Sequence, residues 1–118
     1  MKIKTFKELI VWQKALQLTL EIYNITKNFP KCEEFVLVNQ MRRCAVSVPS
    51  NIAEGFKRKS LKDSLHFYNM AEGSLEELKY QLLLAKDLSY IKEEKHNKLI
   101  DLAEEVGKLL CGWKNSQR

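Results

Sequence analysis

Residues 61–88 read LKDSLHFYNMAEGSLEELKYQLLLAKDL, and the spacing of their apolar side chains decides the fold class. Phe67, Ala71, Ser74, Leu75, Leu78, Leu82 and Ala85 recur every three or four residues, which places them on one face of an α-helix. A strand would alternate at every second residue and end long before this length. Ser60 stands in front as an N-cap, with Asp63 as the acid of a capping box. The pattern predicts one helix over about 61–88.

Working outward, the preceding segment predicts a helix over about 33–56, with Val38, Met41, Ala45, Val48 and Ile52 facing the core. Pro49 removes a backbone donor inside it and predicts a kink. Gly55 suits its end, where a left-handed residue costs little. A first helix is predicted over about 7–28, opened by the capping box Thr5-Phe-Lys-Glu8 and stopped before Pro30. Trp12, Ala15, Leu16, Thr19, Tyr23 and Thr26 share one face. A fourth helix is predicted over about 92–114, lined by Leu99, Leu102, Ala103, Val106, Leu109, Leu110 and Trp113. Short connections make successive helices antiparallel, so the expected fold is an all-α, up-down-up-down four-helix bundle in a single domain over 1–118.

The composition agrees. The 118 residues are 45% hydrophobic and 30% charged, with only four Gly and two Pro. That is the balance of a folded soluble chain with too few turn residues for a sandwich or barrel. The length excludes a multidomain enzyme. Three cysteines, Cys32, Cys44 and Cys111, form no C-x-x-C pair and are expected as free, mostly buried thiols in a reducing cytoplasm. No run approaches the roughly 18 apolar residues of a membrane helix.

The helices carry more apolar surface than one bundle needs. Val11, Leu18, Ile22 and Ile25, with Phe29, make a second stripe on the first helix. Met70, Tyr80 and Leu84, with Leu88, do so on the third. Val46, Pro49 and Ala53 add a flank of small residues on the second. These stripes are expected to form the interface of a homo-oligomer.

Catalytic patterns are missing. There is no G-x-G-x-x-G, Walker loop, G-x-S-x-G or H-E-x-x-H. The adjacent pairs Glu76-Glu77, Glu93-Glu94 and Glu104-Glu105 diverge by about 100° on a helix and cannot face each other as acid and base. Asp63-x-x-His66 and Glu93-x-x-His96 have the spacing of bundle metal ligands. Antiparallel connectivity, however, puts them at opposite ends, roughly 30 Å apart by helix rise. No enzymatic activity, metal, cofactor or small-molecule substrate is expected.

Two polar features remain. Gln40, Arg43, Ser47, Asn51 and Glu54 form a continuous line on the second helix, rich in short amide and hydroxyl groups that suit partial burial and mutual hydrogen bonding. Their partners lie either on a neighbouring helix or on another subunit. The second feature is charge. The chain carries a net +5, and Lys57, Arg58, Lys59 and Lys62 cluster at one turn. Lys2, Lys4 and Lys7 crowd the start of the first helix, where positive charge is unfavourable. With Arg42, these are the candidate phosphate contacts.

The segments Phe6-Lys-Glu-Leu-Ile-Val-Trp-Gln-Lys-Ala15, Phe29-Pro30, QMRRCAVSVPSNIAEGFKRKS (40–60) and Phe67-Tyr-Asn-Met-Ala-Glu-Gly-Ser74, with Leu75-Glu-Glu-Leu78, resemble the bacterial four-helix-bundle family encoded in intervening sequences of 23S ribosomal RNA genes. The resemblance covers about residues 5–113. It implies an antiparallel bundle assembling as a homopentamer, with no known catalytic activity. The family's signature positions fall on Arg42, Arg43, Ser47, Pro49, Asn51, Glu54, Gly55, Gly73 and Ser74. The C-terminal run from Ala103 to Trp113 also resembles the accessory variability protein of diversity-generating retroelements, where Val-Gly-x-x-Leu-x-x-Trp occurs. That resemblance implies a basic pentamer partnering a reverse transcriptase and RNA.

Overall fold

The computed structural model describes residues 2–118. Four α-helices carry the chain: α1 (Ile10–Thr26), α2 (Leu37–Lys57), α3 (Leu61–Asp87) and α4 (Glu93–Gln117). They pack as an all-α bundle in which α1 touches α2 and α4, and α3 touches the same two; α1 and α3 do not meet.

The helix starts differ from the sequence expectation at two places. Thr5 and Glu8 form the capping box, but it closes a separate 3-10 turn, Phe6–Glu8. Leu9 then turns extended, and α1 begins only at Ile10. Likewise Lys31–Glu33 is a 3-10 turn led by Pro30. Val36 leaves the helical region, so α2 starts at Leu37. At α3, Ser60 Oγ accepts from Asp63 N at 3.1 Å, so the serine half of the expected box is made. Ser89, with φ 65°, closes α3 in the left-handed region, and Tyr90 N donates back to Ala85 O at 2.8 Å. Glycine is the commoner residue there.

The core corrects the expected faces. On α1 the buried residues are Val11, Ala15, Leu18, Thr19, Ile22, Ile25 and Thr26. Because α1 packs against two neighbours, its buried arc is centred between the two expected stripes. Leu16 and Tyr23 lie partly in solvent, while Val11, Leu18, Ile22 and Ile25 are interior. Those four are therefore unavailable to another subunit. On α3, Tyr68 replaces Phe67 as the core aromatic, one residue and about 100° round the helix.

Gly55 makes that swap possible. A Cβ there would lie 2.4 Å from Tyr68 Cε1 and 3.0 Å from Ser64 O. Its φ is not positive, so the glycine serves close approach of α3 rather than a left-handed helix end. Ser64 Oγ donates to Gly55 O at 2.7 Å across the same contact.

Pro49 lies inside α2, which stays helical through it to Lys57. The proline leaves Ala45 O without its intrahelical N–H. Thr19 Oγ1 on α1 approaches that carbonyl at 2.8 Å, and its own Ala15 O at 3.0 Å. The hydroxyl thus repairs the gap from the neighbouring helix. Among the cysteines, Cys44 is buried as expected, whereas Cys32 and Cys111 are exposed; all three are free thiols. No helix of the described residues is long and apolar enough to cross a membrane.

Candidate nucleic-acid interface

The turn from α2 to α3 builds the basic end. Helix α2 runs out at Lys57, Arg58 adopts extended backbone as its C-cap, and Ser60 opens α3. Two turns of direction within four residues push Lys57, Arg58 and Lys59 into solvent. Cations suit the negative end of α2. The N-terminal segment lies beside them, held by Lys4 N and Thr5 N donating to Glu8 Oε2 at 3.1 and 3.0 Å.

Two open clefts at this end are both lined by Phe56. One, of about 500 Å³, is lined among others by Lys2, Arg58, Lys59, Tyr68 and Trp113. The other, of about 620 Å³, is lined among others by Lys4, Phe6, Glu54 and Lys57. Phe56 belongs to both. Five of the eight sequence-predicted cations are thereby gathered around one aromatic side chain. Lys7 on the 3-10 turn and Lys62 at the start of α3 are exposed but line neither cleft.

Arg58 is partly committed. Its guanidinium donates to Glu54 Oε2 at 2.8 Å and sits 4.5 Å over the Phe67 ring. Arg42 lies elsewhere altogether. Its Nε donates to Thr26 Oγ1 at 2.9 Å, and its guanidinium stacks 4.6 Å over Tyr23. It also reaches Tyr23 O at 3.4 Å, so it closes the last turn of α1 rather than joining the basic end.

The polar line of α2 also divides. Ser47 and Ser74 hydroxyls are 2.8 Å apart across α2 and α3. Asn51 Nδ2 donates to Ser47 O and to Ser47 Oγ, both at 2.9 Å. Glu54 pairs with Arg58 of its own helix end. The middle of the line is thus satisfied within the chain. Gln40 and Arg43 are exposed, and neither has a partner among the described residues.

Buried chemistry is limited. Burial pushes the Cys44 thiol up to about 11, helped by Glu77, so it stays protonated at neutral pH. A protonated, enclosed thiol is a poor nucleophile. Tyr90 donates to Glu33 Oε2 at 2.7 Å, and that bond, ahead of burial, pushes its hydroxyl up to about 12. No three His, Cys, Asp or Glu side chains converge as metal ligands among the described residues.

Sequence reasoning missed Phe56 and Thr19 as key residues. Thr19 was recoverable, since a proline inside a helix implies an orphaned carbonyl four residues back that needs a donor. Phe56 carried no such signal, because its place depends on how the N-terminal segment folds over.

No curated protein matches the chain significantly. A crystal structure from Bacteroides thetaiotaomicron VPI-5482, described as a protein of unknown function from the S23 ribosomal protein family, is similar with a TM-score of 0.80 and 28% identity. It covers 89% of this chain and 98% of its own. The family described as 23S rRNA-intervening sequence protein matches residues 7–112. With nearly the whole bundle inside that match, the chain belongs to the 23S rRNA-intervening sequence protein family.

Proposed function

We propose that this chain is a non-catalytic, cytoplasmic scaffold that assembles as a homopentamer and binds RNA or ribonucleoprotein through its basic end. The observation that carries the reading is the convergence of Lys2, Lys4, Lys57, Arg58 and Lys59 around Phe56. Cations grouped with an aromatic side chain suit a phosphate backbone and its bases. Five copies of a +5 chain would carry about +25 formal charges on one frame.

Antiparallel, up-down-up-down packing is supported by the order of contacts. Lys14 pairs with Glu105 at 3.5 Å, and Glu21 with Lys95 at 3.9 Å, so residue number rises on α1 as it falls on α4. Self-association is supported by unlike apolar stripes on helices that do not touch. Leu20 on α1 is 61% exposed and Tyr80 on α3 is 60% exposed, with Met70 and Leu88 beside the latter stripe; Leu84 is half-buried. Two different patches on opposite corners suit a head-to-tail contact that closes into a ring.

The test is charge reversal. Lys57→Glu with Lys59→Glu should abolish RNA binding while the oligomer persists; unchanged RNA affinity would contradict the reading. A second reading is an accessory scaffold for a retroelement reverse transcriptase and its template RNA. It is supported by Val106-Gly107-x-x-Leu110-x-x-Trp113 on α4. Retention of a reverse transcriptase after nuclease treatment would favour that reading.

A further inference from the structure

The two clefts share a wall, and this detail goes further than net charge. Phe56 is half-buried and lines both an open cleft of about 500 Å³ and one of about 620 Å³. Each volume falls in the roughly 300–1,000 Å³ range of small-molecule sites. Each cleft also has its own cations: Lys2, Arg58 and Lys59 in the first, Lys4 and Lys57 in the second. The floor of the first adds Tyr68 and Trp113, with the Phe56 and Trp113 ring centroids 6.4 Å apart. Trp113 Nε1 is itself buried, so it is the ring of Trp113 that the cleft presents.

A patch made only to attract phosphate needs no such walls. Duplex RNA presents phosphates and a shallow groove, and its bases stay stacked on one another. Unpaired bases, by contrast, seek aromatic surfaces, while a basic channel follows their backbone. A polyacid such as polyglutamate would satisfy the lysines but has no flat ring to lay against Phe56.

Resting on the RNA-binding reading above, we propose that the paired clefts hold two consecutive unpaired nucleotides of a single strand. Each cleft takes one base beside the shared Phe56, and the phosphates are met by Lys57 in one cleft and Lys59 in the other. The ligand class is single-stranded RNA, and the clefts select it over duplex.

The experiment compares a single-stranded oligoadenylate with a duplex of equal length, at one salt concentration, on the full chain. The single strand should bind about ten-fold or more tightly than the duplex. Phe56→Leu should erase that preference while leaving duplex affinity in place. In a Trp12→Phe background, where Trp113 is the one remaining tryptophan, the single strand should quench its fluorescence and the duplex should not. This readout is independent of whether Phe56→Leu folds. Equal affinity for the two forms, an undiminished preference in Phe56→Leu, absence of quenching, or equal binding of polyglutamate would each overturn the inference. RNA binding without any single-strand preference would leave the broader reading standing; loss of all RNA binding would remove both.

Discussion

Residues 45–55 and residues 57–59 belong to one helix and its cap, and to one motif, yet they treat their polar and small groups in opposite ways. In the first stretch the groups that matter turn inward, while Val46, Ser50 and Glu54 stay exposed. Ala45 O is covered by Thr19, Ser47 meets Ser74, Asn51 turns back on Ser47, and Gly55 admits Tyr68. In the second, Lys57 and Lys59 stay in solvent with no carboxylate partner among the described residues, and only Arg58 is tied down. A motif can thus be contiguous in sequence and serve two ends. Its inner part sets how closely α1, α2 and α3 approach, and its outer part is left free to meet something else.

The comparison breaks most visibly at Gly55. Gly55→Ala drives a methyl into Tyr68 and toward the Ser64 backbone, and the expected cost is about 3 kcal/mol, at the upper end for overpacking. Chemical denaturation measures it. A cost below about 0.5 kcal/mol would show that α2 and α3 have slack where the structure shows contact.

Thr19→Val should come next, at about 2 kcal/mol, because it leaves Ala45 O buried and unpaired. The sharper form is a cycle with Pro49→Ala. That substitution restores an N–H at the proline position, so the threonine should matter less in its presence. Strict additivity of the two changes would refute the repair of the Pro49 gap by Thr19.

A smaller effect belongs to pH. The Cys44 thiol has a folded pKa of about 11 against 9.0 for the free group. The folded state therefore holds the proton longer than the unfolded one. The thiol's contribution to stability is fully present below about pH 9 and is lost as pH rises from 9 toward 11. Urea midpoints across that window should fall less in Cys44→Ala than in the native chain.

The fold was largely legible in residues 61–88, because a helix of that length must bury one face and its neighbours have the same period. The error of one position at Phe67 arose because period alone does not choose between adjacent aromatics; the gap above Gly55 does. The stripes on α1 were misassigned for a related reason. A helix touched by two neighbours buries a wide arc, and sequence spacing cannot tell a wide core arc from a core face plus an interface. The basic end was half legible. Charge clustering found Lys57–Lys59, but Arg42 carries the same charge and is spent on the end of α1. Only the path of residues 2–8 brings Lys2 and Lys4 to Phe56.

The smallest expected effect on stability is also the most telling. Lys57→Glu with Lys59→Glu should leave the unfolding midpoint within about 0.5 kcal/mol of the native value, as exposed sites usually do. The direct measurement is the slope of log RNA affinity against log salt for the native chain and this double variant. The native slope should be negative and the variant's clearly shallower, with affinity lost, because each phosphate contact releases counterions. An unchanged slope and affinity would contradict the assignment of this end of the bundle to RNA.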